Sequence, residues 1–475
     1  MSGRHGAGAR RSPVLMWGAV AAAAVVVVAG GYFAVTAVGA GGSGCETVER
    51  ISVAVDPTLA PVVSDALAAT DVAERGCAEF EVRAEAPTDT ATELANSDAE
   101  RPDLWIPDST LWLLKTLRST GALPEVAKSS VANTLPVVVT RDADAPAPAT
   151  WLSVLQTPEQ RIGDPLDSSA SLASILGALA ESEVGLSDAE AVAAALVPMA
   201  QDFGRIADQP HGTADLVEQV AVDGGTSVAT EQSVVTYNAQ NPSTPLHAVV
   251  PPTGSYFLNY PLAVTAEAGP RYGTARDAGA ALASVLSTVA AAESLSEAGF
   301  RPSSAVPLAD GRGVGSAASL ELKNPLGIES TLRDWSVLAL PLRTLVVEDV
   351  SGSMAAASGD STRIALTVDA SLGANALFSD RTEMGLWAFS IGLGGGDKDY
   401  RELVPLGPVS NVVNGLPQRE AILSAVRSLP SLVGGGTGLY DTTLAAFRRV
   451  KEGYDPNFVN SVILLTDGSN EDEGS

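Results

Sequence analysis

The segment Val346-Val347-Glu348-Asp349-Val350-Ser351-Gly352-Ser353-Met354 runs from apolar residues into an aspartate, then presents two serines at alternate positions. Further along come Gly434-Gly435-Gly436-Thr437 and Leu464-Leu465-Thr466-Asp467-Gly468, where a second apolar run again delivers an aspartate. The pattern predicts strands over 344–347 and 462–465, with chemistry-bearing residues in the loops that follow them. Three hydroxyls and two carboxylates converging on one point suit a hard divalent cation, which takes oxygen ligands in near-octahedral geometry. The expected ion is Mg²⁺ or Mn²⁺, held by Asp349, Ser351, Ser353, Thr437 and Asp467. Asp and Ser also cap helices and close turns, so the motif takes its meaning from strand-to-loop placement.

These five positions resemble the von Willebrand factor A domain and its metal-ion-dependent adhesion site, whose signature is Asp-x-Ser-x-Ser with a distant Thr and a distant Asp. The resemblance implies a doubly wound, Rossmann-like α/β sheet over 342–475. In the order 3-2-1-4-5-6, strands one and four meet at the switch point, where ligands bind beyond the strand carboxyl ends. The strands of Asp349 and Asp467 would be those two. Neutral hydroxyls on the metal, with the aspartates acting largely through water, would leave the ion positive and one position open for a partner's carboxylate. That implies adhesion to an acidic protein partner, not hydrolysis. Two departures stand out. Glu348 occupies a position that is usually aliphatic in the family, which implies a less buried strand end. The sequence also stops at Ser475, where a complete domain of this kind continues with two more strands and helices, so a C-terminally truncated fragment is expected.

At the other end, Arg4, Arg10 and Arg11 precede an uncharged Ala/Val-rich stretch at 14–38. Its length matches the ~20 residues that a helix needs to span a bilayer core. The preceding positive charge places residues 1–13 in the cytoplasm and the bulk of the chain outside. A cleaved signal peptide is the rival reading, although its apolar region is normally only about 7–15 residues. Cys45 and Cys77 are the only cysteines. Outside the cytoplasm such a pair most simply forms one disulfide. Lipidation of Cys45 is the alternative, but Gly42-Ser43-Gly44 lacks the usual aliphatic residue. No histidine clusters with the thiols to make a zinc site.

A formal charge of −27 opposes phosphate binding, so nucleic acid is excluded as a partner. The acidity fits solubility outside the cytoplasm.

Between residues 45 and 305, short apolar runs alternate with alanine-rich stretches, the pattern of an α/β sheet. Strands are expected over 51–55, 80–83, 104–106 and 135–140, with helices over 57–69 and 275–291, the last continued by 295–300. Ala143–Ala149 reads as a Pro/Ala connector near a lobe hinge, and 306–341 as the link to the last domain. Three phrases resemble periplasmic solute-binding proteins of the molybdate-receptor group. They are Pro102-Asp103-Leu104-Trp105-Ile106-Pro107-Asp108-Ser109, Tyr260-Pro261-Leu262-Ala263-Val264 and Ala298-Gly299-Phe300-Arg301-Pro302. The resemblance implies a two-lobed type II fold over 45–305 with a small ligand between the lobes, held by hydroxyls and helix-start amides. By position the candidates are Ser109, Thr110, Ser168, Ser169, Thr230 and Gln232. Each is also an ordinary helix-cap or turn residue. Asp108, Asp167 and Glu231 nearby argue against a bare oxyanion.

Other chemistry is sparse. There is no Gly-x-Ser-x-Gly elbow for a nucleophile, and the 392–396 glycine run lacks the Lys-Ser/Thr of a phosphate loop. Trp105, Trp112, Trp151, Trp335 and Trp387 read as core. The sequence therefore points to a membrane-anchored, extracytoplasmic, non-enzymatic binding protein. It joins a solute-binding-like module to a metal-dependent adhesion module. The alternatives are a solute receptor of a transport system and, with less support, a hydrolase.

Overall fold

The computed structural model describes residue 45 and residues 47–96, 100–158, 160–206, 210–324, 326–375 and 378–472. The expected membrane anchor at 14–38 lies outside them. Among the described residues no single helix is long and apolar enough to cross a membrane.

The chain opens with β1 (Glu49–Val55), α1 (Ala60–Ala68), β2 (Ala78–Ala84), α2 (Pro87–Ala95), β3 (Leu104–Ile106), α3 (Thr110–Thr120) and β4 (Glu125–Lys128). It crosses to a second lobe through β5 (Asn133–Thr134) and β6 (Pro136–Thr140). There it forms α4 (Trp151–Leu155), α5 (Ser169–Glu183), α6 (Ala189–Ile206), α7 (Thr213–Asp223), β7 (Ser227–Thr230), α8 (Glu231–Gln240) and β8 (His247–Val249). The return runs through β9 (Leu258–Asn259) and β10 (Leu262–Val264) to α9 (Pro270–Val285) and α10 (Val289–Glu297).

The first-lobe sheet has the order β2-β1-β3-β10-β4. β1 runs parallel to both β2 and β3, while β10, arriving from the other lobe, is antiparallel to β3 and β4. The second lobe is built on an antiparallel β7-β6-β8 sheet. The short β5–β9 pair marks the crossing between lobes, and a bridge from Asn133 to Arg301 lies beside it. Each lobe has its own apolar core, one around Ile51, Leu104, Leu262 and Phe300, the other around Trp151, Ile175, Leu196 and Phe203. The five tryptophans read as core are all buried. Cys45 and Cys77 form a disulfide, and the amide of Glu49 donates to the Cys77 carbonyl at 3.0 Å where β1 and β2 begin to pair.

Two expectations change. The long helix over 275–291 and 295–300 is in fact two helices bent by 74°. Thr288 turns extended and its hydroxyl accepts the Ala291 amide, starting α10 afresh, a local alternative to continuing the previous helix. The 143–149 connector runs from β6 to α4 inside the second lobe, because the chain crosses between lobes earlier, around 129–135. Within the 306–341 link lies α11 (Leu326–Leu338), whose Trp335 is fully buried against the second-lobe core.

The remaining chain forms β11 (Leu342–Asp349), the two-residue pair β12 (Ala357–Ser358) and β13 (Ser361–Thr362), α12 (Arg363–Asn375), β14 (Glu383–Phe389) and β15 (Tyr400–Pro408). After the pair β16 (Val412–Val413) and β17 (Leu416–Pro417) come α13 (Gln418–Ser428), α14 (Leu439–Glu452) and β18 (Val459–Leu465). Its sheet has the order β15-β14-β11-β18, with β11 parallel to both neighbours. β11 is apolar on both faces because helices cover both: Val346 packs with the α13 side, Leu345 and Val347 with the α14 side. Glu348 does not open the strand end as anticipated. It is fully buried, donated to by the Ser371 hydroxyl at 2.6 Å, and burial pushes its carboxyl up to about 7. A protonated acid meets the low-polarity interior without an unpaired charge.

Candidate functional site

Two loop clusters sit at strand carboxyl ends. The first is the crevice between the lobes. In the order β2-β1-β3 the chain reverses direction of build between β1 and β3, and Asp56 and Asp108 follow those two strands. The Asp56 amide donates to Ile106 O at 2.9 Å, joining the two loops. Asp56 Oδ1 accepts from the Thr58 amide at 2.9 Å and from its hydroxyl. Asp108 Oδ1 accepts from Trp112 Nε1 at 2.8 Å and from Ser169 Oγ, in the opposite lobe, at 2.7 Å. Trp112 Nε1 also reaches Ser169 Oγ at 3.0 Å, and Lys115 Nζ donates to Leu166 O across the same seam.

The electrostatics follow from burial. Desolvation, reinforced by the Asp56 carboxylate, pushes Asp108 up to about 7, and burial also raises Asp56. Burial lowers Lys115 to about 8, although Asp108, Asp167 and Asp164 pull the other way. Burial raises Asp164 too, so the acids that outnumber Lys115 here are pushed toward their neutral form, and each asks for a hydrogen-bond donor or a positive charge rather than an oxyanion.

The six expected cleft residues part company. Ser109, Ser168 and Thr230 are helix caps: their hydroxyls accept from Leu111 N at 3.2 Å, Ser171 N at 3.2 Å and Ser233 N at 3.1 Å. Thr110 Oγ1 donates to Asn259 Oδ1 at 2.9 Å, beside the crossing. The Gln232 backbone amide donates to Thr134 Oγ1 at 3.2 Å, and its side-chain amide donates to Thr236 Oγ1 at 3.0 Å and to Ala298 O at 3.2 Å near the 298–302 turn. Ser169 alone bridges the lobes to Asp108. Sequence reading passed over Asp56, Trp112 and Lys115. The signal was an acid within two residues of the end of each of two parallel strands, Val-Asp-Pro and Ile-Pro-Asp.

The second cluster lies at the carboxyl edge of the last sheet. Asp349 is fully buried; its Oδ1 accepts from Ser351 N at 2.7 Å and its Oδ2 from Thr466 Oγ1 at 2.6 Å. Ser351 Oγ and Ser353 Oγ are 2.9 Å apart, and Ser353 Oγ donates to Asp467 Oδ1 at 2.7 Å. Arg363 pairs with the other Asp467 oxygen. The 352 and 435 loops are tied by Gly352 N to Gly435 O at 2.8 Å. Buried Thr437 keeps its hydroxyl 3.6 Å from the place where a side chain on Gly468 would begin. All five residues named from sequence therefore line the same two strand ends, and the donors are oxygens throughout, a set that fits a hard divalent cation.

Residues 51–301 match the family model of the bacterial extracellular solute-binding proteins, and so cover more than half of the chain. Solved structures similar to the chain include the sulfate-binding protein SubI from Mycobacterium tuberculosis H37Rv, at 18% identity and TM-score 0.40, covering 56% of this chain and 88% of that one. A periplasmic thiamin binding protein is similar at 14% identity and TM-score 0.45, covering 63% and 99%. A Bordetella ferric binding protein is similar at 14% identity and TM-score 0.42, covering 61% and 98%. No curated protein matches the chain.

Proposed function

We propose that this chain, which belongs to the bacterial extracellular solute-binding protein family, captures a small solute between its two lobes outside the cytoplasm and serves a transport system. One observation carries the reading. The acid-bearing ends of β1 and β3 face the start of α5 across the lobe seam, where Ser169 meets Asp108. Ligands of open α/β sheets bind at such a switch point. A solute entering there must displace the Asp108–Ser169 bond and satisfy Asp56 and Asp108. The reading therefore favours a solute bearing positive charge or several hydrogen-bond donors over a bare oxyanion. It is a binding role; no step of turnover is assigned. The test is a thermal-shift panel of amines, guanidinium compounds, metal ions and oxyanions on wild type and Asp108→Ala. A cationic solute whose stabilisation is lost in the variant supports the reading. Oxyanion binding equal in both proteins would sink it.

The second cluster favours a further role for the same chain. The row Ser351–Ser353–Asp467, with Asp349 and Thr437 beside it, supports a magnesium- or manganese-dependent adhesion site in a von Willebrand factor A-like module over 342–475. When bound, the cation would present a positive, partly uncovered face to a carboxylate of a protein partner. The three hydroxyls and two aspartates hold it, while Arg363 competes for Asp467. In this reading residues 14–38 anchor the chain in the membrane by a single span. The check is a pull-down from cell envelope with and without EDTA, using wild type and Thr437→Ala. A partner kept equally in all four conditions would remove the adhesion role.

A further inference from the structure

Beyond the five residues already described, the C-terminal sheet carries a second group of acids. Asp399, Asp441 and Asp472 each bring a carboxylate oxygen to within 4.8 Å of the others. Proximity of acids alone signifies little, because α14 starts here and a helix amino-terminus favours negative charge. That accounts for Asp441, which sits in the first turn. It does not supply the hydrogen bond that Asp399 lacks. Asp399 is 6% exposed; its Oδ1 accepts from Gly392 N at 2.8 Å, but its Oδ2 is buried with no hydrogen-bond partner among the described residues. Such an oxygen is costly unless something positive meets it. Oδ2 presses on the helix start: a side-chain carbon on Gly438 would lie 2.2 Å from it, so only glycine fits there. The first two amides of α14, which could have served Asp399, are instead taken by Asn470 Oδ1, at 3.0 Å from Leu439 N and 3.3 Å from Tyr440 N.

We infer that Asp399, Asp441 and Asp472 form a second cation site, of the calcium class, which fastens the 466–472 segment to the start of α14. Carboxylates at irregular spacing suit Ca²⁺, which accepts six to eight oxygens in flexible geometry, better than Mg²⁺. The segment is already aligned for the task. Asn470 Nδ2 donates to Asp472 O at 2.8 Å, and Glu471 Oε2 accepts from Thr437 N at 2.9 Å. The site is independent of the adhesion reading. A consequence does rest on that reading: Thr437 and Asp467 lie on the two segments that the second cation joins, so Ca²⁺ should tighten Mg²⁺ binding.

Calcium titration of the purified full chain tests this, with Asp349→Ala, Asp441→Asn and the double variant compared by calorimetry. Asp441 is exposed, so its variant is expected to fold, which circular dichroism melting verifies. The expected result is a Ca²⁺ site kept in Asp349→Ala and weakened at least tenfold in Asp441→Asn and in the double variant. Unchanged Ca²⁺ affinity in Asp441→Asn, or no Ca²⁺ binding by wild type at millimolar concentration, overturns the proposal. Loss of Mg²⁺ binding in Asp349→Ala, or its absence in wild type, reports on the first site alone.

Discussion

Asp108 and Ser169 meet across the crevice. The hydroxyl that begins α5 in one lobe donates at 2.7 Å to a carboxylate that ends the β3 loop in the other. The same carboxylate is held by Trp112, so the bond joins two lobes through one acid. Because burial raises that acid to about 7, it links the closed lobes to pH.

The sign follows from proton binding. The ordinary carboxylate pKa is about 4, so between that value and about 7 the native protein holds a proton on Asp108 that the unfolded chain has released. More protons on the native state means stability falls as pH rises through this window and levels off above it. Melting temperature followed from pH 4 to 8 should therefore fall more steeply for wild type than for Asp108→Asn. Parallel profiles would show that Asp108 does not titrate in this window.

Arg301 and Glu231 form a bidentate pair at 2.6 and 2.7 Å, both fully buried, beneath the crossing between lobes. Glu231 also accepts from Val314 N at 2.9 Å. Arg301→Ala leaves an uncompensated charge and should cost about 3–5 kcal/mol in urea unfolding. The double variant Arg301→Met/Glu231→Leu should recover much of that loss. An Arg301→Ala cost under about 1 kcal/mol would mean that Glu231 finds another partner or takes a proton.

Magnesium should stabilise the wild-type chain by about 2.7 kcal/mol when present at 100 times its dissociation constant, and should not stabilise Asp349→Ala. Arg363→Ala removes a half-exposed competitor for Asp467. It should tighten Mg²⁺ binding, by no more than about fivefold given the modest worth of such pairs. Equal Mg²⁺ response in wild type and Asp349→Ala would reduce the Asp-x-Ser-x-Ser row to a turn.

The Cys45–Cys77 bridge closes a loop with a sequence separation of 32. Chain-entropy reasoning gives such a loop about 3–4 kcal/mol. Reduction, or Cys45→Ser with Cys77→Ser, should lower the unfolding midpoint accordingly. Non-reducing peptide mass spectrometry gives the covalent state, and a diacylglyceryl group on Cys45 would replace the bridge with a lipid anchor.

Local pattern alone determined much of this protein. Apolar runs marked β1, β3, β11 and β18, and the acids that follow were read for β11 and β18, because side chains on parallel strands are buried on both faces and the loops beyond them are polar. Two cysteines in an exported chain left one simple pairing. That Asp349, Ser351, Ser353, Thr437 and Asp467 come together was legible because short-range order places each at or just beyond a strand end or a glycine run. Tertiary structure decided the rest. Whether a serine caps its own helix, as Ser109 and Ser168 do, or reaches across a cleft, as Ser169 does, depends on what stands opposite. No local pattern specifies that neighbour. Glu348 is buried only because α12 brings Ser371 to it. Trp335 joins the second-lobe core only because α11 folds back on it. Asp399, Asp441 and Asp472 are far apart in sequence, and only the packing of two loops against the first turn of α14 gathers their charge.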